Sequence, residues 1–229
     1  MIHVENAHKR YRLRKVLDGV SFTAQKGQIT CLIGMNGAGK STLLKAIMGL
    51  TPLSKGSIRV DGVQSSRELY EKVSFIPDHT AMPGGYRLEE GLRFMADYYH
   101  SWNEARAAEL MTFFNLNEGD RVGNLSKGMA AKFGLVLGLA ADTEFVLMDE
   151  PFSGIDLFSR ELIGEVFSSR LIEDRGVLIT THEIDEIEHL LDRAVLLKDG
   201  KVARDIDCEQ VRDEEGKSVL DVMREVYRT

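Results

Sequence analysis

The sequence predicts an α/β fold, a parallel sheet flanked by helices, with an antiparallel β subdomain at the N-terminus and a helical subdomain inserted into the core. Three observations carry this. Residues 29–33 are apolar and partly β-branched, as in a buried parallel strand, and run into a glycine-rich loop followed by Leu43, Leu44, Ala46, Ile47 and Leu50 at helical spacing. Two later apolar runs, 145–148 and 177–181, stop abruptly at Asp149-Glu150 and at His182, as strands do when they deliver polar groups to one edge of an open sheet. Between 88 and 116 the apolar period changes from two to that of a helix.

Taken in order, residues 2–4 and 20–24 read as short strands, with a turn at Lys26-Gly27 before the strand 29–33. Residues 57–60 meet Asp61-Gly62, a pair suited to a tight hairpin because both tolerate positive φ. These strands are expected to form an antiparallel sheet wrapped around strand 29–33, with Lys9, Arg10, Arg12, Arg14 and Lys15 on a solvated edge. Gly49 is placed to end the helix after the loop. Residues 73–76 form another strand, ending at Pro77-Asp78-His79. The stretch 85–140 reads as a helical insertion: Leu88, Leu92, Met95 and Tyr99 share one face, and Ser101 with Glu104 has capping-box spacing. Its aromatics, Phe94, Tyr98, Tyr99, Trp102, Phe113 and Phe114, are expected mostly in the core. After 194–197 and a hairpin at Asp199-Gly200, residues 203–229 form a short helical end that docks through Leu220, Met223 and Tyr227. The whole span 1–229 reads as one domain.

Composition excludes several classes. A net charge of −7, from 29 basic and 36 acidic residues, argues against a nucleic-acid partner, whose phosphates demand a basic face. Two cysteines, Cys31 and Cys208, suggest neither a disulfide framework nor a metal cluster and fit a reducing compartment. The N-terminus lacks the apolar core of a signal peptide, and the most apolar run, 133–141, is about half a membrane span. A cytoplasmic protein is expected.

The chemistry begins at Gly34, Met35, Asn36, Gly37, Ala38, Gly39, Lys40, Ser41 and Thr42, which match the phosphate-binding pattern GxxxxGK[ST]. Glycines let successive backbone N–H groups turn inward on a polyphosphate, Lys40 adds a point charge, Ser41 offers a hydroxyl to Mg2+, and the helix N-terminus adds its dipole. Nucleotide binding follows. Tyr11, with Val16 five positions on, either stacks on a base or packs in its strand. Asp149 and Glu150 are either chemistry at a strand end or ordinary solvated acids, and His182 either acts or is a satisfied histidine at a helix start.

Asn124-Leu125-Ser126-Lys127-Gly128-Met129 decides among these. It resembles the LSGGQ signature of ATP-binding cassette (ABC) proteins, in an LSKGM form, and the whole chain resembles one cassette with a P-loop NTPase, RecA-like core. The resemblance matches Tyr11 to the adenine-stacking aromatic, residues 34–42 to the Walker A loop, 145–149 to the Walker B strand and Glu150 to the residue after it. Residues 153–156, with Asp156, look like the loop that contacts an opposing subunit, and His182 like the switch histidine. It implies ATP and Mg2+ as ligands: Lys40 and the loop amides on the β- and γ-phosphates, Ser41 and Asp149 on the ion, Glu150 as general base and His182 at the γ-phosphate. Ser126 and Gly128 would serve the ATP of a second ABC subunit, in a homodimer or a heterodimer. Where the family places a glutamine this chain has Asp78, which either meets Mg2+ or its water or merely starts a turn.

LSKGM variants resemble cassettes of bacterial drug and antibiotic exporters. The resemblance implies an ATP hydrolase subunit that drives separate transmembrane permease subunits from the cytoplasmic face of the membrane. The alternative is a soluble single-cassette ATPase in a non-transport role such as cofactor assembly. A P-loop kinase would leave 125–128 and His182 unexplained.

Overall fold

The computed structural model describes residues 1–228 apart from 65–66, 168–171, 173, 183 and 186; Thr229, the end of the expected C-terminal stretch, lies outside them. Strands β1 (Ile2–Tyr11), β2 (Arg14–Ala24) and β4 (Lys55–Val60) pair as an antiparallel sheet in the order β2-β1-β4. Strands β3 (Ile29–Ile33), β5 (Val73–Ile76), β6 (Phe145–Asp149), β7 (Gly176–Thr181), β8 (Arg193–Lys198) and β9 (Lys201–Asp207) form a second sheet in the order β5-β6-β7-β3-β8-β9. Its strands are parallel up to β8, and β9 returns antiparallel through the Asp199-Gly200 turn, where both residues have positive φ.

Alternation within each parallel strand divides the core in two. Cys31, Ile33, Val146, Met148, Val177 and Ile179 face one hydrophobic cluster, while Leu32, Phe145, Leu147 and Leu178 face the other. The first face is covered by α4 (Glu104–Phe113), α5 (Lys127–Leu139), α6 (Leu157–Phe167) and α8 (Val219–Tyr227). The second is covered by α1 (Lys40–Ile47) and the antiparallel sheet. A sheet buried on both faces explains why its strands read as continuous apolar runs.

Several expectations change. The first two strands extend through 5–11 and 14–19, so the basic cluster lies on a hairpin; Lys9 is buried, its Nζ donating to the carbonyl of Pro52 at 2.6 Å, and only the hairpin's end is solvated. The antiparallel sheet packs beside β3 without pairing to it. Helix α2 (Arg67–Lys72), unforeseen, precedes β5. The helical subdomain lies between β5 and β6 as expected, with α3 (Leu88–Tyr98) first, but α4 is capped by Asn103, whose Oδ1 accepts the Arg106 N–H at 2.9 Å, and not by Ser101. The helix starts two residues later than that box required, and Ser101 instead gives its backbone carbonyl to the Asp142 N–H. Of the six aromatics only Tyr99 and Phe114 are buried; Phe94 and Tyr98 on α3 and Phe113 at the end of α4 are exposed, on helix faces turned away from the core. The C-terminal helix docks as read: Tyr227 Oη donates within reach of the carbonyls of Ile33 at 3.1 Å and Leu197 at 2.9 Å. It is preceded by α7 (Cys208–Glu215), so the helical end begins at 208 and not at 203: residues 203–207 continue β9, held by antiparallel pairing to β8. Among the described residues no helix is long and apolar enough to cross a membrane.

One close approach locks the helical subdomain to the sheet. A Cβ at Gly138 of α5 would overlap Cγ1 of Ile76 on β5 and lie 2.6 Å from its Cδ1. Alanine normally favours a helix over glycine by ~1 kcal/mol. Here the sign should reverse, because β-branched Ile76 is stiff: Gly138→Ala is expected to lose about 1–3 kcal/mol in urea unfolding, and that added loss should shrink when the change is made in an Ile76→Ala background. A Gly138→Ala protein as stable as the parent would refute the contact.

Candidate nucleotide and magnesium site

Parallel register brings three loops to one edge. Ile33 lies beside Thr181 and Asp149 beside Thr180, so the chain leaves β3, β6 and β7 at the same height with Gly34, Glu150 and His182. Gly39 completes the loop from β3 to α1 at φ 107°, and a side chain there would lie 2.8 Å from the Val16 carbonyl, so only glycine fits. It also occupies the helix N-cap without a side-chain bond, which leaves the first N–H groups of α1 directed at the loop.

A cavity of about 580 Å³ is bounded by Tyr11, Val16, the loop 36–42, Asp78, Glu150 and His182. At its floor Lys40, 5% exposed, donates to the Gly34 carbonyl at 2.6 Å and pairs with Glu150 Oε1 at 3.0 Å. The other carboxylate oxygen of Glu150 meets His182 Nδ1 at 2.9 Å. Glu150 thus stands between the loop lysine and the histidine. Its backbone is left-handed, φ 49°, an uncommon state for a residue with a Cβ. That conformation is secured by its own N–H, which donates to Thr180 O and Oγ1 at 3.1 and 3.0 Å.

Beneath the loop lies Asp149, 1% exposed, whose Oδ1 accepts from Ser41 Oγ at 3.0 Å and from Thr180 Oγ1 at 2.6 Å. A hydroxyl and a buried carboxylate are hard oxygen donors, and two of them suit Mg2+, which keeps several waters and needs few protein ligands. The residues fit the ion. Asp78 lines the same cavity, half exposed and 3.2 Å from His79 Nδ1. Tyr11 also lines the cavity, 48% exposed, with Lys9 Nζ 5.0 Å from its ring centroid.

Three residues lie apart. Ser126 is the N-cap of α5, accepting the Met129 N–H at 3.2 Å, and Gly128 occupies the first turn. A Cβ on Gly128 would come within 3.0 Å of Asp156 Oδ2 and 2.8 Å of Ser159 Oγ. Asp156 itself accepts from the Ser159 backbone at 3.0 Å and hydroxyl at 2.8 Å, and these bonds hold its carboxyl below the usual aspartate range. None of the three borders the cavity of this chain's own loop. Lys127 does border it, lying against Gly154.

The sequence reading missed Arg14 and Thr180. Arg14 lines the cavity, its Nη2 donating to the Gly37 carbonyl at 3.5 Å. A signal existed, since it precedes Val16 by two and a strand repeats its face every second residue. For Thr180 the signal was a hydroxyl inside an otherwise apolar strand.

The family model described as "ABC transporter" matches residues 17–153. The chain is 33% identical to the Nod factor export ATP-binding protein I of Burkholderia lata over 96% of this chain and 76% of that protein. It is 32% identical to the linearmycin resistance ATP-binding protein LnrL of Bacillus subtilis over 88% and 68% respectively. A solved structure of the ATP binding subunit of an ABC transporter superposes with a TM-score of 0.89 at 27% identity, covering 99% of both chains. A dimeric ATP-binding cassette in a post-hydrolysis state, bound to ADP and Pi, shares the fold with a TM-score of 0.81 at 22% identity, over 90% of this chain and 98% of that one.

Proposed function

This chain belongs to the ABC transporter family, and from that membership we propose that it is the ATP-binding and ATP-hydrolysing subunit of an exporter, working through separate transmembrane permease subunits on the cytoplasmic face of the membrane. The observation that carries the chemistry is the Lys40–Glu150–His182 chain, with links of 3.0 and 2.9 Å, at the edge where a phosphate loop ends its strand.

The residues then take these roles. Tyr11 and Val16 hold the adenine; Asn36, Gly37, Ala38, Gly39, Lys40 and Thr42 hold the phosphates, with the loop's backbone N–H groups and the α1 N-terminus facing the anion. Ser41 and Asp149 would hold Mg2+, and Asp78 would meet the ion or its water; when bound, the ion would neutralise charge developing on the phosphate oxygens. Glu150 takes a proton from the attacking water as its oxygen bonds to the γ-phosphorus and the bond to ADP breaks. His182 orients Glu150 through Nδ1 and faces the γ-phosphate. A phosphate entering the loop competes with Glu150 for Lys40, which frees the carboxylate for its work as a base.

Ser126, Gly128 and Asp156 complete the reading. None of them lines this chain's own cavity, which supports a role toward the ATP of a second ABC subunit, another helix N-terminus meeting a γ-phosphate across an interface. Exporter function is supported by the relatives, both named for export or resistance. Phosphate release by the purified chain, and a multi-span protein captured with it from native membranes, test the proposal; capture of soluble partners alone would overturn it.

The adenine platform has its own test. Tyr11→Ala is expected to raise KM for ATP about tenfold with kcat little changed, since a base–aromatic stack contributes roughly 1–3 kcal/mol, while Tyr11→Trp keeps KM near the parent value. Steady-state kinetics at saturating Mg2+ decide, and an unaltered KM for the alanine variant removes Tyr11 from the site.

A further inference from the structure

Thr180 stands next to Asp149 in the register of β6 and β7 and is fully buried. A strand buried on both faces favours valine at such a place, and an unbonded hydroxyl there would be costly. This hydroxyl is bonded twice. It donates its only proton to Asp149 Oδ1 at 2.6 Å, and it accepts the backbone N–H of Glu150 at 3.0 Å. With the proton committed to the carboxylate, the Glu150 N–H points at the remaining lone pairs, so each bond polarises the other. One oxygen therefore touches two consecutive residues just where the chain turns into the left-handed conformation of Glu150, φ 49°.

Ser41 Oγ shares the same oxygen, Asp149 Oδ1, at 3.0 Å. A rotation of the carboxylate away from Thr180 would also carry it away from Ser41. When Ser41 turns toward an ion, Thr180 is the hydroxyl that keeps Asp149 in its orientation. We propose that Thr180 is a positioning residue for hydrolysis, its hydroxyl locking the metal carboxylate of Asp149 and the backbone of the base Glu150 into a single arrangement. This rests on the site reading given above, in which Ser41 and Asp149 hold Mg2+ and Glu150 is the base.

The test uses Thr180→Val, which keeps the shape and removes the hydroxyl, and Thr180→Ser, which keeps the hydroxyl and removes the methyl. Two quantities are measured for each: kcat for phosphate release, and the gain in affinity for a fluorescent ATP analogue when Mg2+ is added to a chelated sample. Thr180→Val is expected to lower kcat by at least tenfold, the scale of one hydrogen bond to a charged group. It should also shrink the Mg2+-dependent gain severalfold, leaving affinity without Mg2+ unchanged. Thr180→Ser should stay within about threefold of the parent in both. The inference is overturned if valine matches the parent in both readouts, or if serine is as impaired as valine, since packing by the methyl would then be the cause. A parent protein that shows neither hydrolysis nor a Mg2+-dependent gain would instead overturn the site reading itself, so the two failures are distinct. Should the valine protein fail to fold, serine against alanine at the same position carries the same comparison.

Discussion

Glu150→Gln is expected to bind ATP at least as tightly as the parent while releasing phosphate about 10²–10⁴-fold more slowly, the usual worth of a positioned general base. Glutamine has the same shape, so it can keep the contact with His182 and the backbone bonds to Thr180 that sustain φ 49°. It cannot accept the proton of the attacking water. The carboxylate also pairs with Lys40 at 3.0 Å, so removing its charge leaves the lysine wholly to the phosphates and takes a negative group from beside them. Binding of a fluorescent ATP analogue and phosphate release, measured on one preparation, separate the two effects. Hydrolysis at the parent rate would remove Glu150 from the role of base. With turnover blocked, saturating ATP should also move the protein from monomer to dimer in size-exclusion chromatography if the second subunit is another copy; a monomer there points to a heterodimeric partner.

Lys40→Ala should act on the other quantity, weakening ATP binding by at least about 10²-fold, because charge-assisted bonds to two phosphates are lost and each contributes roughly 1.5–3 kcal/mol. The same change strips Glu150 of its nearest cation in a mostly buried setting, a second cost that falls on stability. Combining Lys40→Ala with Glu150→Gln separates them. The double variant should recover stability in urea unfolding without recovering nucleotide affinity. Lys40→Arg is not expected to rescue binding, since a planar fork does not fit a channel that lets Lys40 reach the Gly34 carbonyl at 2.6 Å. A Lys40→Ala protein with parental affinity would take the loop lysine out of phosphate binding.

The left-handed backbone of Glu150, the buried hydroxyl of Thr180 and the Lys40–Glu150–His182 chain belong to one device. A parallel sheet ends its strands together, and the residues just past those ends are free of sheet geometry while anchored to it. Lys40 opens the helix that follows β3, and Glu150 and His182 are the residues just past the ends of β6 and β7. The loop, Glu150 and His182 are therefore positioned by the buried parallel sheet. The helical subdomain is tied to the same place through Gly138 against Ile76, and Lys127 reaches from α5 to the cavity wall.

The features that the sequence determined by itself are those whose physics is local. The loop 34–42 is nine consecutive residues whose glycines, lysine and serine state their chemistry without reference to any partner. The strands before the loop, Glu150 and His182 announced themselves by largely apolar runs, because both faces of the sheet are covered. The Asp61-Gly62 and Asp199-Gly200 turns followed from two residues each. Tertiary structure alone decided what depended on register between distant strands. Asp149 meets Ser41 across 108 residues and Thr180 across 31, and no local period contains either distance. The length of the first hairpin, the turn of Arg14 toward Gly37 and the choice of Asn103 over Ser101 as a cap were likewise set by packing, which outweighs propensities of about 1 kcal/mol. Local chemistry identified the parts of the site. Only the pairing of strands, a property of the whole buried sheet, set which oxygen lies beside which.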